Sequence, residues 1–138
     1  MDSVELLAVG PESSAVPVSF EIDDREGAAL RMKAPGGDWR SFSGSNLFTC
    51  LLSARTDLEK EGLLLCCQGA RPDVFPSGMQ QQMDNGRFAT VLSRLAGEGE
   101  AVDIFDAADP SQVTSVEGQR VAVYRFFGLP LSGAGTDV

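Results

Sequence analysis

The chain has no histidine and is short of cysteine, lysine and isoleucine. Without an imidazole, Ser-His-Asp and Cys-His nucleophile mechanisms are excluded, as is a 2-His-1-carboxylate iron centre. Three cysteines, two of them adjacent, do not supply the four Cys or His ligands that structural zinc takes in most sites. The sequence contains no P-loop, no G-x-G-x-x-G after a strand and no S-x-x-K. A conventional enzyme is disfavoured, and no cofactor is expected.

Long apolar runs are also missing, and none approaches the ~20 residues that span a bilayer. The N-terminal MDSVELLAVGPESS places Asp2 and Glu5 where a signal peptide carries positive charge. Lys and Arg together number 11 against 20 Asp and Glu, a net charge of −9. Such a surface repels a phosphate backbone and anionic lipid, which argues against nucleic-acid and membrane partners. It suits either a basic protein partner, through complementary fields, or solubility alone. Cys66 and Cys67 point to opposite faces of an extended strand and do not bridge each other. Three reduced thiols in a cytoplasmic protein is the economical reading.

What is present describes one ordinary domain. At 138 residues the chain buries enough surface to fold without a metal or disulfide staple, and 43% apolar with 22% charged residues is a globular composition. Residues 1–14 read as a loose leader and residues 131–138 as a disordered tail, leaving a single domain over 15–130. VPVSFEIDD alternates as a strand, with Val16, Val18, Phe20 and Ile22 on one face. After the turn at Asp23 to Gly27, AALRMKA is the other arm of a hairpin.

PGGDWRSFSGS reads as a loop. Apolar residues from Leu47 to Leu58 then recur at spacings of three and four, which predicts a helix over Asn46 to Glu61 with Ser45 as N-cap and Gly62 just beyond its end. Leu63 to Cys67 is an apolar run suited to a strand covered on both faces, with a right-handed crossover if it lies parallel to the second strand. A short helical turn at MQQQM, a strand over RFATVLSRL, a turn at AGEGE and a short strand at AVDIF follow. Asp109-Pro110 marks a helix start, so PSQVTSVEGQRVAVYRFF is helical, although VAVYRFF has strand composition and Gly118 weakens a helix by ~1 kcal/mol. The expected fold is α+β: one mixed or antiparallel sheet of about five strands, two main helices and one short helix packed mainly on one face.

LLLCCQGARPDVFPSGMQQQM concentrates the candidate chemistry. Mid-strand thiols lack the C-x-x-C spacing or positive neighbours of a redox site, so Cys66 and Cys67 read as small buried hydrophobes. Arg71 offers a planar cationic fork, and Ser77 with the amides of Gly78 and Met79 opens a helix; together they define a candidate site for phosphate or carboxylate. The competing arrangement pairs Arg71 with Asp73 and spends Ser77 as a cap. Asp103 and Asp106, with Asp109, form a weak candidate for Mg2+, and Asp109 is already needed at a helix start. Met79 and Met83, four apart, share a helical face that either packs on the core or makes an adaptable contact surface. Trp39 is either a partner anchor or folded onto the core edge.

The strings CCQGARPDVFPSGM, MDNGRFATVL and VDIFDAADPSQVTSVEGQ resemble a set of short, uncharacterised bacterial proteins with G-A-R-x-x-V-x-P-S-G-M and V-x-I-F-D segments. The resemblance covers Leu47 to Phe127 and implies a shared fold with a helix over Val113 to Phe127, and nothing catalytic. Two functions are expected to compete. One is an acidic, non-catalytic protein-binding domain of immunity or antitoxin type, directed at a basic protein. The other is an anion-binding protein or minor enzyme with its site at the Gly69–Met79 loop.

Overall fold

Val18, Phe20 and Ile22 alternate with Ser19 and Glu21, and the strand that carries them is the middle of a five-stranded sheet. The computed structural model describes residues 2–93 and 99–130. Strands β1 (Asp2–Val9), β2 (Ala15–Asp23), β3 (Ala28–Lys33) and β4 (Arg40–Gly44) form an antiparallel meander, and β5 (Leu64–Leu65) joins the far side of β1. Register puts Leu6 opposite Val18, Phe20 opposite Met32 and Ile22 opposite Leu30. Each of these side chains is almost wholly buried. The other face is wet: Arg31 reaches Glu21 at 2.6 Å and lies over the Trp39 ring at 4.7 Å.

The inner face is covered by α1 (Leu47–Glu59), which packs against β3, β4 and β5. Leu47, Phe48, Leu51, Ala54 and Leu58 are buried as the periodicity predicts. A second, three-stranded antiparallel sheet comprises β6 (Val74–Phe75), β7 (Phe88–Val91) and β8 (Ala101–Asp103). The short α2 (Gly78–Met83) lies between β6 and β7, and α3 (Val116–Phe127) packs on α1. No helix among the described residues is long and apolar enough to cross a membrane.

The α+β class holds, while several expected elements are corrected. The loose leader expected over residues 1–14 is instead regular structure from Asp2 onward. β1 fills positions 2–9 and is central, between β2 and β5; Leu7, half exposed beside buried Leu6, obscures its alternation in the sequence. PGGDWRSFSGS contains β4, an edge strand with Phe42 as its one inward apolar residue. The single sheet becomes two. β5 is antiparallel to β1, and hence to β3, so the parallel crossover does not arise. Asn46, not Ser45, caps α1, accepting from the Thr49 amide at 2.9 Å.

The last helix is divided. Asp109 caps a 3-10 turn over Pro110–Gln112, and α3 begins anew at Ser115, whose hydroxyl accepts from the Gly118 amide. Gly118 therefore sits in a first turn, and a Cβ there would press on Thr114 Oγ1 at 2.3 Å. That close approach accounts for a glycine that helix propensity alone disfavours. The expected strand over 87–95 is confined to Phe88–Val91, with Arg94 and Leu95 outside the described residues. Most of the AGEGE turn and the tail at 131–138 also lie outside them.

Candidate functional site

The loop after β5 is built around its backbone. Cys66 continues the pairing by donating its amide to Leu7 O at 2.8 Å, and Cys67 bridges to Ala107. All three cysteines are free and buried. Burial pushes the Cys67 thiol up to about 12, although the Arg55 charge and the amides of Gly69 and Ala70 pull the other way. Burial also raises Cys50 and Cys66. Gly69 is wedged between α1 and the segment after β8: a Cβ there would lie 2.7 Å from Leu51 Cδ2 and 2.9 Å from Ile104 Cβ.

Arg71 does not face the start of α2. Its Nε and Nη2 donate to the two carboxylate oxygens of Asp73, at 3.0 and 2.8 Å, and Nη1 donates to Gln68 Oε1 at 2.8 Å. Ser77 and Gln80 form a capping box, the serine hydroxyl accepting from the Gln80 amide and the Gln80 side chain accepting from the Ser77 amide. Among the described residues, none of Arg71's hydrogen bonds goes to Ser77, Gly78 or Met79. Gly78 is exposed, and Met79 projects into solvent at 74% exposure.

The three aspartates after β7 also divide. Asp103 Oδ1 accepts from Arg87 Nε at 2.9 Å and from the Phe105 amide at 2.9 Å. Asp109 accepts from the Ser111 amide, which holds its carboxyl below the ordinary range. Asp106 is exposed. Among the described residues, no group of three or more Cys, Asp or Glu stands ready to hold a metal ion.

Two features escape the sequence reading. The first is Arg55, on the inner face of α1 and 1% exposed. Its Nη1 donates to Gln119 Oε1 and to Gly69 O, and Nη2 donates to Thr114 O at 3.0 Å. Burial lowers its affinity for the proton, with Cys67 and Glu59 nearby acting in the opposite sense. The side chain amide of Gln119, 2% exposed, donates to the carbonyls of Gly69, Arg71 and Val74. Its spacing from Leu51 and Leu58 matches the inward stripe, but its charge argues against burial and local pattern does not name the distant carbonyls that receive it.

The second is a depression lined by Asp2, Asp24, Asp84 and Asp103, with Arg87 as its one cation and Met83 and Phe88 at its border. Arg87 is held by Asp103 and, at 3.0 Å, by Asp2. Although burial works against the charge, these two carboxylates keep Arg87 above its ordinary value. The floor is fixed by Asn85, whose side chain donates to Gly27 O at 2.7 Å and whose carbonyl accepts from Leu47 N at 2.7 Å. Met83 is 77% exposed and Phe88 42%. Of the two readings of the Met79–Met83 face, core packing is thereby overturned, since neither methionine reaches the core.

Fold and surface together define an acidic α+β protein with two exposed methionines on a short helix beside a carboxylate-lined depression. No protein-family model matches the chain, nor does any curated protein.

Proposed function

We propose that the chain is a non-catalytic, cytosolic protein-binding domain that takes a basic protein partner, in the manner of an immunity protein or antitoxin. The observation that carries this reading is the pairing of Met79, Met83 and Phe88, all exposed, with four carboxylates against one guanidinium in the adjoining depression. Exposed large apolar side chains that the core does not use mark contact surfaces, and methionine adapts to partners of varied shape. The carboxylates steer a cationic partner and fix its orientation, while the apolar residues supply burial. Three buried, reduced thiols support a cytosolic compartment.

A Lys-rich amphipathic peptide tests the surface directly. NMR shifts on titration should centre on α2 and Phe88, and affinity should fall at least ~10-fold between low and physiological salt. Met79→Ser with Met83→Ser leaves the charge unchanged and should abolish most of the binding. Equal binding by the double variant would reduce the effect to bulk charge attraction and refute a specific face.

A further inference from the structure

We propose that the seam between α1 and α3 holds a binding site for one small, neutral aromatic molecule. The cavity there measures about 160 Å³. Its walls are Phe48 and Leu52 of α1, Phe75 of β6, and Val116, Val123 and Tyr124 of α3. Neither α2 nor the carboxylate depression contributes a residue, so this site stands apart from the partner-binding surface. The pocket is partly open to solvent, but its lining is almost wholly apolar, and its volume matches the roughly 150 Å³ that holds a benzene-sized ring.

The wall chemistry narrows the ligand further. Phe48 and Phe75 already meet edge to face, with centroids 5.4 Å apart and planes at 77°. A flat ring entering beside them extends that cluster in the same favoured geometry. The polar groups at the border are committed elsewhere. Gln119 donates its side chain amide to Gly69 O at 2.9 Å, Arg71 O at 2.8 Å and Val74 O at 3.0 Å, and its oxygen accepts from Arg55. Arg120 is neutralised by Glu117 through hydrogen bonds of 3.0 and 2.7 Å, and its guanidinium lies 5.2 Å from the Tyr124 ring centroid. A carboxylate or ammonium drawn in against Phe48, Leu52, Phe75 and Val123 would give up water for apolar walls, so the inner part of the pocket favours the uncharged ring.

The test is an NMR titration of the full chain with toluene, phenol and indole, using benzoate and benzylamine as charged controls. Saturable shifts are expected at the methyl groups of Leu52, Val116 and Val123 with at least one neutral ring. Both charged analogues should bind at least ~10-fold more weakly. Leu52→Phe fills the cavity and should weaken binding at least ~10-fold; if that variant does not fold, Val116→Phe, in the half-exposed first turn of α3, serves in its place. No saturable shift with any neutral ring, equal binding of a charged analogue, or undiminished binding in a folded, filled variant would each overturn the proposal.

Discussion

Arg55 Nη1 lies 2.5 Å from Gln119 Oε1, and this contact joins α1 to α3 inside the protein. Among the described residues no carboxylate pairs with the guanidinium: carbonyls and an amide oxygen take Nη1 and Nη2, and Nε has no partner. Helical spacing sets Arg55 between Leu51 and Leu58 on the buried stripe, but its charge argues for solvent, where its removal would be nearly silent. The burial reverses that expectation. Gln119→Leu should cost about 1–3 kcal/mol: Val74 O loses its side-chain donor and Arg55 Nη1 loses one acceptor, while Gly69 O keeps Arg55 and Arg71 O keeps the Val74 amide. Arg55→Met, which keeps the aliphatic volume, should cost roughly 2–4 kcal/mol. Urea denaturation of both singles and the double should give a coupling of at least ~1 kcal/mol. Independent, additive effects would show that the two side chains do not act as a unit.

The faces of α1 should separate three neighbouring positions. Leu51 is fully buried against Gly69, so Leu51→Ala should cost about 2–5 kcal/mol. Leu52 is half-buried and already borders the α1–α3 cavity, so Leu52→Ala should cost about 1–2 kcal/mol. Ser53 is exposed, and Ser53→Ala should stay within ~0.5 kcal/mol. Equal effects at all three would mean that the helix turns a different face to the sheet.

Arg71 should be a loop strut with no anion specificity. Its pair with Asp73 is partly exposed on both sides, at 18% and 44%, so Arg71→Ala should cost no more than ~1 kcal/mol. Phosphate and sulfate should shift the melting temperature of the wild type and Arg71→Ala alike. Stabilisation by either anion that vanishes only in the variant would restore the anion site at Gly69–Met79.

Why some of this was readable and some was not follows from particular residues. The Val18, Phe20, Ile22 alternation and the Leu47 to Leu58 periodicity each bury one side of an element, and both are correct in the structure. β1 carries the same alternation in Val4, Leu6 and Ala8, but Leu7 on the wet face breaks the pattern. β4 is an edge and turns only one apolar side chain, the partly buried Phe42, toward the core, so its serines look like loop. The geometry of Arg71 and Asp73 was legible because both lie within three residues. The Arg55–Gln119 contact and the Asp2, Asp24, Asp84, Asp103 depression join positions from distant parts of the chain, and local pattern carries no trace of them.

The thiols yield a pH prediction. Cys67 is 0% exposed, and burial raises its thiol from an ordinary value of 9.0 to about 12. The folded protein thus keeps a proton that the unfolded chain releases near 9. Between these values the unfolded state binds fewer protons, so stability falls as pH rises. The contribution is complete below about pH 9 and is lost progressively up to about 12, with a limiting slope of ~1.4 kcal/mol per pH unit for this group. Cys67→Ala should lower stability near neutrality by on the order of 1 kcal/mol, yet flatten the alkaline decline relative to the wild type. Cys67→Ser should be worse than Cys67→Ala, since its hydroxyl enters a dry site. The comparison uses urea denaturation at several pH values, which cancels the contributions common to all three proteins. An alkaline slope unchanged in Cys67→Ala, or rapid labelling of all three native cysteines by a thiol reagent, would show that the strand end is open to solvent.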